Sequence, residues 1–299
     1  MPSNEQRRAA AKRKLERQLA SRAERARKRK RLSIAGSALG VVIVVAAVTG
    51  VYFLTKGDDA DNTAAEPKDA SLTSAPPPAA KAKPAQVTCD YRDGRRPADK
   101  PVHKPERTQV PTTGNDAKVS LSVETSAGPL GLTLNNAESP CTVNSFMNLV
   151  DQRYFNDTSC HRMTATDGLK VLQCGDPVAS GMGGPGYEFD NEYPTDQYAP
   201  NDPTIPASVA YKRGVLAMAN ANSSAGSTGL DGMATNGSQF FIVYGDSELP
   251  PQYTIFGTVD ENSLKTLDKI AQGGQDNSNG PGDGKPNTQV TIQSVRLDR

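Results

Sequence analysis

The stretch Gln239–Tyr244 (QFFIVY) most constrains the fold of this chain. In a strand, successive side chains point to opposite faces. Gln239, Phe241 and Val243 therefore share one face, and Phe240, Ile242 and Tyr244 share the other. Both rows are apolar, so the strand belongs to a sheet that is covered on both sides. Asn236-Gly237 ahead of it supplies a hairpin-type turn. One face nevertheless begins with an amide. A Gln beside a Phe suits a groove that reads peptide backbone and buries a side chain. The segment Cys160–Pro177 complements it, with Arg162 preceding a second strand, Lys170–Cys174, that carries Gln173. A guanidinium with five fixed donors and an amide that both donates and accepts make a good peptide-binding pair.

Charge divides the chain. The net charge of the whole is +1, but residues 1–31 hold 13 Lys/Arg and 3 acids, leaving 21 basic and 30 acidic side chains for the rest. Directly after this basic run, Ser33–Leu54 gives 22 residues without a charge. At 1.5 Å per residue this segment can cross a hydrocarbon core of about 30 Å. A cleaved signal peptide is the competing reading, but its apolar part is shorter and ends in small residues, whereas this run ends in Val51-Tyr52-Phe53-Leu54. The expectation is a single-pass anchor. The positive-inside rule then sets the N-terminus in the cytoplasm and the bulk of the chain outside the cell membrane. The basic segment Asn4–Arg31 reads as a solvated topology signal or as a helix on anionic lipid headgroups. A nucleic-acid patch is the third reading, and no nucleic-acid partner is expected.

Five regions result: a basic segment at 1–32, the anchor at 33–54, an Ala/Pro-rich flexible linker at 55–86, a strap at 87–114, and a β-rich domain at 115–299. Within the last, Lys118–Glu124 and Leu130–Leu134 alternate as a hairpin about Ser126–Pro129. Ser139-Pro140 starts a helix whose apolar face is Val143, Phe146, Leu149 and Val150. Ser263–Gln272 is a second helix, and Val290–Leu297 a closing strand.

With only His103 and His161 and no C-x-x-C, Cys89, Cys141, Cys160 and Cys174 lack metal-ligand spacing, and no cofactor is expected. Outside the membrane these thiols can oxidise. If Arg162 and Gln173 face one groove, antiparallel pairing sets His161 opposite Cys174 and turns Cys160 to the other face. The expected bridge therefore joins Cys89 or Cys141 to one of Cys160 and Cys174, with free thiols as the alternative.

Six strings occur together in order: His161-Arg162, Gln173–Asp176, GMGGPGYEFDNE at Gly181–Glu192, GVLAMANA at Gly214–Ala221, TNGSQFF at Thr235–Phe241, and YTIFGTV at Tyr253–Val259. In this the chain resembles the cyclophilin family of peptidyl-prolyl cis-trans isomerases. The resemblance implies a mainly β fold, a closed eight-stranded antiparallel barrel capped by two helices, here preceded by the transmembrane helix. It implies isomerisation of X–Pro bonds in proline-containing polypeptides. Catalysis falls to Arg162, Gln173 and Phe241, and substrate binding to Val171, Ala219, Asn220, Gln239, Leu249 and Tyr253. His161 is expected to be structural. The alternative function is a tethered proline-peptide binding module or chaperone with little turnover. The chain departs from the family in extra residues between Arg162 and Gln173, in Lys170 on a pocket wall, in Tyr253 and Glu248 where a His and a Trp are usual, and in a lengthened loop at Asn222–Ala234. Loss of the Trp implies weak binding of the inhibitor cyclosporin.

Overall fold

The computed structural model describes residues 72–199, 205–220 and 235–298. The regions read as basic segment and anchor, most of the linker and the loop Asn222–Ala234 lie outside these residues. Among the described residues, no helix is long and apolar enough to cross a membrane.

The described residues form sixteen strands and two α-helices. The first three strands are Gln86–Thr88 (β1), Arg92–Asp93 (β2) and Gln109–Pro111 (β3). Lys118–Thr125 (β4) and Leu130–Asn135 (β5) form the predicted hairpin, followed by helix α1 at Pro140–Asp151. Then come Thr158–Ser159 (β6), Arg162–Thr164 (β7), Lys170–Cys174 (β8), Tyr187–Glu188 (β9), Val209–Tyr211 (β10) and Val215–Met218 (β11). Phe240–Gly245 (β12), Ser247–Leu249 (β13), Ile255–Val259 (β14), helix α2 at Glu261–Gln272, Asp283–Gly284 (β15) and Thr291–Leu297 (β16) complete the chain.

Ten strands make one antiparallel sheet in the order β15-β7-β8-β12-β11-β14-β5-β4-β16-β6. This corrects the expected closed eight-stranded barrel: the sheet is a curled half-barrel whose end strands do not pair with each other. The reason lies at Cys160-His161, which join β6 at one end of the order to β7 near the other. The Cys160 N–H donates to Val290 O, on the β16 side, and the His161 N–H donates to Gln173 O, on β8. The backbone changes partners between two adjacent residues, so covalent connection brings the sheet's ends together and no ladder does.

The two faces of β12 separate as their parity requires. Phe240, Ile242 and Tyr244 enter the main core, while Phe241 and Val243 enter a smaller cluster with Val171, Val209, Tyr211 and Ala217. Phe146 of α1 is the aromatic hub of the main core, with ring centroids 4.7 Å from Phe155, 5.4 Å from Phe240 and 5.3 Å from Phe256. Ser139 precedes α1 but donates to Ile255 O instead of capping it. The buried Glu192 carboxylate takes over, accepting from the N–H of Cys141 and from the N–H and hydroxyl of Thr142. At α2, Asp260 caps in the ordinary way, accepting from Ser263 N–H at 2.7 Å.

The segment before the domain lies against it. β1 pairs with β3, β2 pairs with β9, and Tyr91 packs edge to face on Tyr187 and Phe189. Contact begins earlier than the sequence reading of a linker to 86 suggests. Ser74 Oγ lies 2.7 Å from Ser208 Oγ, Ala210 N–H donates to Ala75 O, Tyr193 OH donates to Pro78 O, and Lys83 pairs with Asp196.

The cysteines pair as Cys89–Cys141 and Cys160–Cys174, which corrects the expected crossed bridge. Parity misleads here because β7 begins only at Arg162. Cys160 stands outside the regular strand and turns into the same core as Cys174. Mapping of unreduced protein should recover these two cross-linked peptide pairs; a bridge between the pairs would contradict the fold. Cys89–Cys141 closes 52 residues of chain. Its removal by Cys89→Ala with Cys141→Ala should lower unfolding free energy by about 2–4 kcal/mol on the chain-entropy estimate, measured by denaturant titration.

Candidate active site

Cross-strand register builds the site. Arg162 on β7 sits opposite Gln173 on β8, Gln173 opposite Phe241 on β12, and Phe241 opposite Ala217 on β11. A guanidinium, an amide and an aromatic ring thus form one row across adjacent strands, on the face away from the main core. Residues to either side of this row extend it into a groove of about 580 Å³. All nine residues singled out from the sequence line it: Arg162, Val171, Gln173, Ala219, Asn220, Gln239, Phe241, Leu249 and Tyr253.

The apolar end is a ring-lined pocket. Phe241 is almost fully buried and meets Tyr253 edge to face at 5.6 Å and Tyr211 at 6.4 Å. Tyr211 is itself fixed, its hydroxyl donating to Tyr253 O at 2.7 Å and Pro250 O at 3.1 Å. Burial raises its pKa well above the ordinary phenol value, so it stays neutral. Lys170 does not line the groove, contrary to the expectation of a less apolar wall. It pairs with Gly245, and Leu169 lines the groove in its place. Glu248 also turns away from the groove, its carboxylate accepting from the N–H groups of Thr73 and Ser74.

The polar end is a relay of donors. Arg162 Nη1 donates to Gln173 Oε1 at 3.2 Å, Gln173 Nε2 to Gln239 Oε1 at 2.9 Å, and Gln239 Nε2 to Gly183 O at 2.9 Å. Asn220 Nδ2 donates to Asn191 Oδ1 at 2.9 Å, so its amide orientation is also set. Behind this row, Asp176 accepts from the N–H groups of Val178, Gly181 and Gly183, which shapes the loop beside Gln239. Desolvation would raise the Asp176 pKa, but those three N–H groups outweigh it and hold the carboxyl below its usual range. His161 is buried, as expected of a structural residue. Desolvation lowers its pKa, against the opposing pull of Asp176, and keeps the ring neutral.

Sequence reading missed Asp283. Its carboxylate accepts from Arg162 Nε at 2.9 Å and from Nη2 at 2.6 Å. This fork-to-fork pair fixes the guanidinium plane. Together with the bond to Gln173 it occupies three of the five Arg162 N–H groups and leaves one on each terminal nitrogen. The contact raises the Arg162 pKa and lowers that of Asp283.

The region 120–297 matches the family model described as cyclophilin type peptidyl-prolyl cis-trans isomerase/CLD. The chain belongs to the cyclophilin-type peptidyl-prolyl cis-trans isomerases. It is 50% identical over 312 aligned residues to the "Probable peptidyl-prolyl cis-trans isomerase B" of Mycobacterium leprae, covering 100% of both chains. It is 54% identical over 212 residues to the protein of that name in Mycobacterium tuberculosis, covering 71% of this chain and 64% of the relative. A crystal structure of a Cryptosporidium parvum cyclophilin type peptidyl-prolyl cis-trans isomerase aligns at 27% identity and a TM-score of 0.47, covering 61% of this chain and 98% of that one.

Asp283 fixes the direction of the Arg162 guanidinium in the groove. Asp283→Asn should lower kcat about tenfold through misaiming of Arg162 while leaving KM nearly unchanged; an unaltered kcat would remove that role. Because the folded pKa of Asp283 is depressed, the clamp is intact above the ordinary carboxylate range and is lost as pH falls through the lowered value. The acid limb of kcat should therefore lie below that range, and Asp283→Asn should abolish it.

Proposed function

We propose that this isomerase acts on X–Pro bonds of exported or cell-surface polypeptides, with Arg162 as the group that stabilises the twisted amide. The barrier to X–Pro rotation is about 20 kcal/mol, and it arises from lost conjugation between nitrogen and carbonyl. In the twisted state the prolyl nitrogen becomes pyramidal and carries a lone pair. A donor aimed at that lone pair binds the transition state more tightly than either planar form. Arg162 fits this task because it is always charged, planar and held on two sides, with an N–H on each terminal nitrogen to spare.

The observation that carries the reading is the register Arg162–Gln173–Phe241. It sets the charged donor one strand removed from a buried ring, so a proline seated on Phe241 has its nitrogen directed towards Arg162. Gln173 orients Arg162 and meets the substrate backbone with Gln239, Ala219 and Asn220. Val171, Phe241, Leu249 and Tyr253 receive the proline ring. Arg162→Ala should lower turnover of a prolyl tetrapeptide by roughly 10²–10³, the usual cost of one preorganised donor, in a protease-coupled assay. An equally active, folded variant would exclude this mechanism and favour a binding module whose isomerisation owes nothing to the guanidinium.

The cellular part of the proposal rests on the charge step about Ser33–Leu54. The anchor is retained and the N-terminus is cytoplasmic, with the basic run at residues 4–31 acting as the topology signal. Protease added to intact cells should digest the isomerase domain and leave a small membrane-bound fragment. A protected domain, or a mature chain beginning after residue 54, would overturn the topology.

A further inference from the structure

The groove does not end at the row of Arg162, Gln173 and Phe241. Its far part is walled by Gly94–Pro97, from a segment that precedes the region matched by the family model, and by the loop Gly181–Gly186. The first wall is firmly built. β2 pairs with β9, setting Arg92 opposite Glu188 and Asp93 opposite Tyr187. Gly94 N–H donates to Gly186 O at 2.9 Å, and Asp99 N–H to Gly184 O at 3.1 Å. The backbones approach so closely that a Cβ on Gly94 would lie 2.9 Å from Gly186 C, and one on Gly186 2.7 Å from Ala98 N. Glycine is required at both crossings. The bridge Cys89–Cys141 ties the same segment to α1.

This wall presents two adjacent cations. The charged residues lining the groove are Arg95, Arg96, Arg162 and Glu188. Arg162 is neutralised by Asp283, and Glu188 lies 3.7 Å from Arg95. The neighbouring acids are engaged elsewhere: Asp93 with Lys104, Asp190 with Arg92, and Asp99 with the N–H of Gly184. Arg96 has no carboxylate partner among the described residues; its Nη1 reaches only Met182 O, at 3.4 Å. The Met182 side chain, 63% exposed, gives the same rim an apolar element.

Building on the isomerase reading, we infer that Arg95 and Arg96 form a substrate subsite that selects polypeptides carrying an acidic side chain close to the isomerised proline. The occupant follows from charge and continuity: an extended chain whose proline sits on Phe241 continues along the groove past Gln239 and Gly183, and meets an unpaired guanidinium there. The domain around this wall is acidic on balance, so Arg96, beside an Arg95 that is held 3.7 Å from Glu188, forms a local positive spot that an Asp or Glu of the substrate complements. A rim pair of this kind contributes modestly and is weakened by salt.

The test uses the full-length protein and matched prolyl peptides with Glu, Gln or Lys at successive positions on either side of the proline. At one set of positions kcat/KM for Glu should exceed that for Gln by about fivefold at low ionic strength, with the advantage lost at high salt. The Glu-to-Gln ratio should fall to near one in the Arg95→Ala, Arg96→Ala double variant. It should invert in favour of Lys in Arg96→Glu. A ratio of one at every position in the unmodified protein, or a ratio that the variants leave untouched, would overturn the subsite while leaving isomerisation intact. Failure to turn over any of the peptides would instead bring down the isomerase reading and the subsite with it.

Discussion

Everything in this site depends on one strand being apolar on both faces. β12 has Phe240, Ile242 and Tyr244 in the main core and Phe241 and Val243 in the second cluster. Burying large side chains of this kind is worth about 1.5–3 kcal/mol each, so slippage by one residue would exchange two well-packed sets at once. Register is correspondingly firm. The positions of Gln173 opposite Phe241 and of Arg162 opposite Gln173 follow from that register, because β8 and β7 are aligned in turn on β12. The row Arg162–Gln173–Phe241 is thus held by core packing on the other side of the sheet, where Phe146 of α1 closes over Phe240.

The charge of Arg162 raises a question of balance. Asp283 neutralises the guanidinium at close range, which weakens its field at the groove. On the proposed mechanism the transition state develops a lone pair and no full charge, so direction matters more than net potential. A planar fork held on two sides loses less conformational entropy when it donates than a mobile one would. The side chain of Arg162 is also 37% exposed, so water already screens its long-range field. Orientation is what the ion pair contributes here, and Gln173 completes it by fixing the third direction.

What was legible in the sequence was what short-range periodicity encodes. Alternation gave the two faces of β12, the β4–β5 hairpin and the apolar stripe of α1. The six ordered strings gave the nine groove residues. What escaped was set by tertiary contact. Asp283 lies 121 residues from Arg162, in a Gly-, Asn- and Asp-rich stretch without periodicity, and nothing local distinguishes it from its neighbours. The bridge Cys160–Cys174 escaped because strand parity was extended across Cys160-His161, where the backbone changes partners. The closed barrel failed at the same two residues. Lys170 was misplaced against strand parity itself: Leu169, Val171 and Gln173 share the groove face, so Lys170 falls on the other face of β8.

The segment before the family domain illustrates how far a domain boundary drawn from sequence can differ from the unit that makes a site. The family match begins at residue 120, yet Gly94–Pro97 walls the groove and Tyr91 fills the space between Tyr187 and Phe189. Short strands such as β2 and β9, of two residues each, could not hold this arrangement through their own ladder. It is held by the disulfide to α1, by glycine crossings that admit backbone-to-backbone hydrogen bonds, and by Lys104 Nζ donating to Tyr91 O and pairing with Asp93. An oxidising compartment favours the first of these links. Redox environment, strap placement and the shape of the substrate groove are therefore coupled through Cys89, and a domain cut at the family boundary would keep Arg162 and Phe241 but lose one wall of the groove they serve.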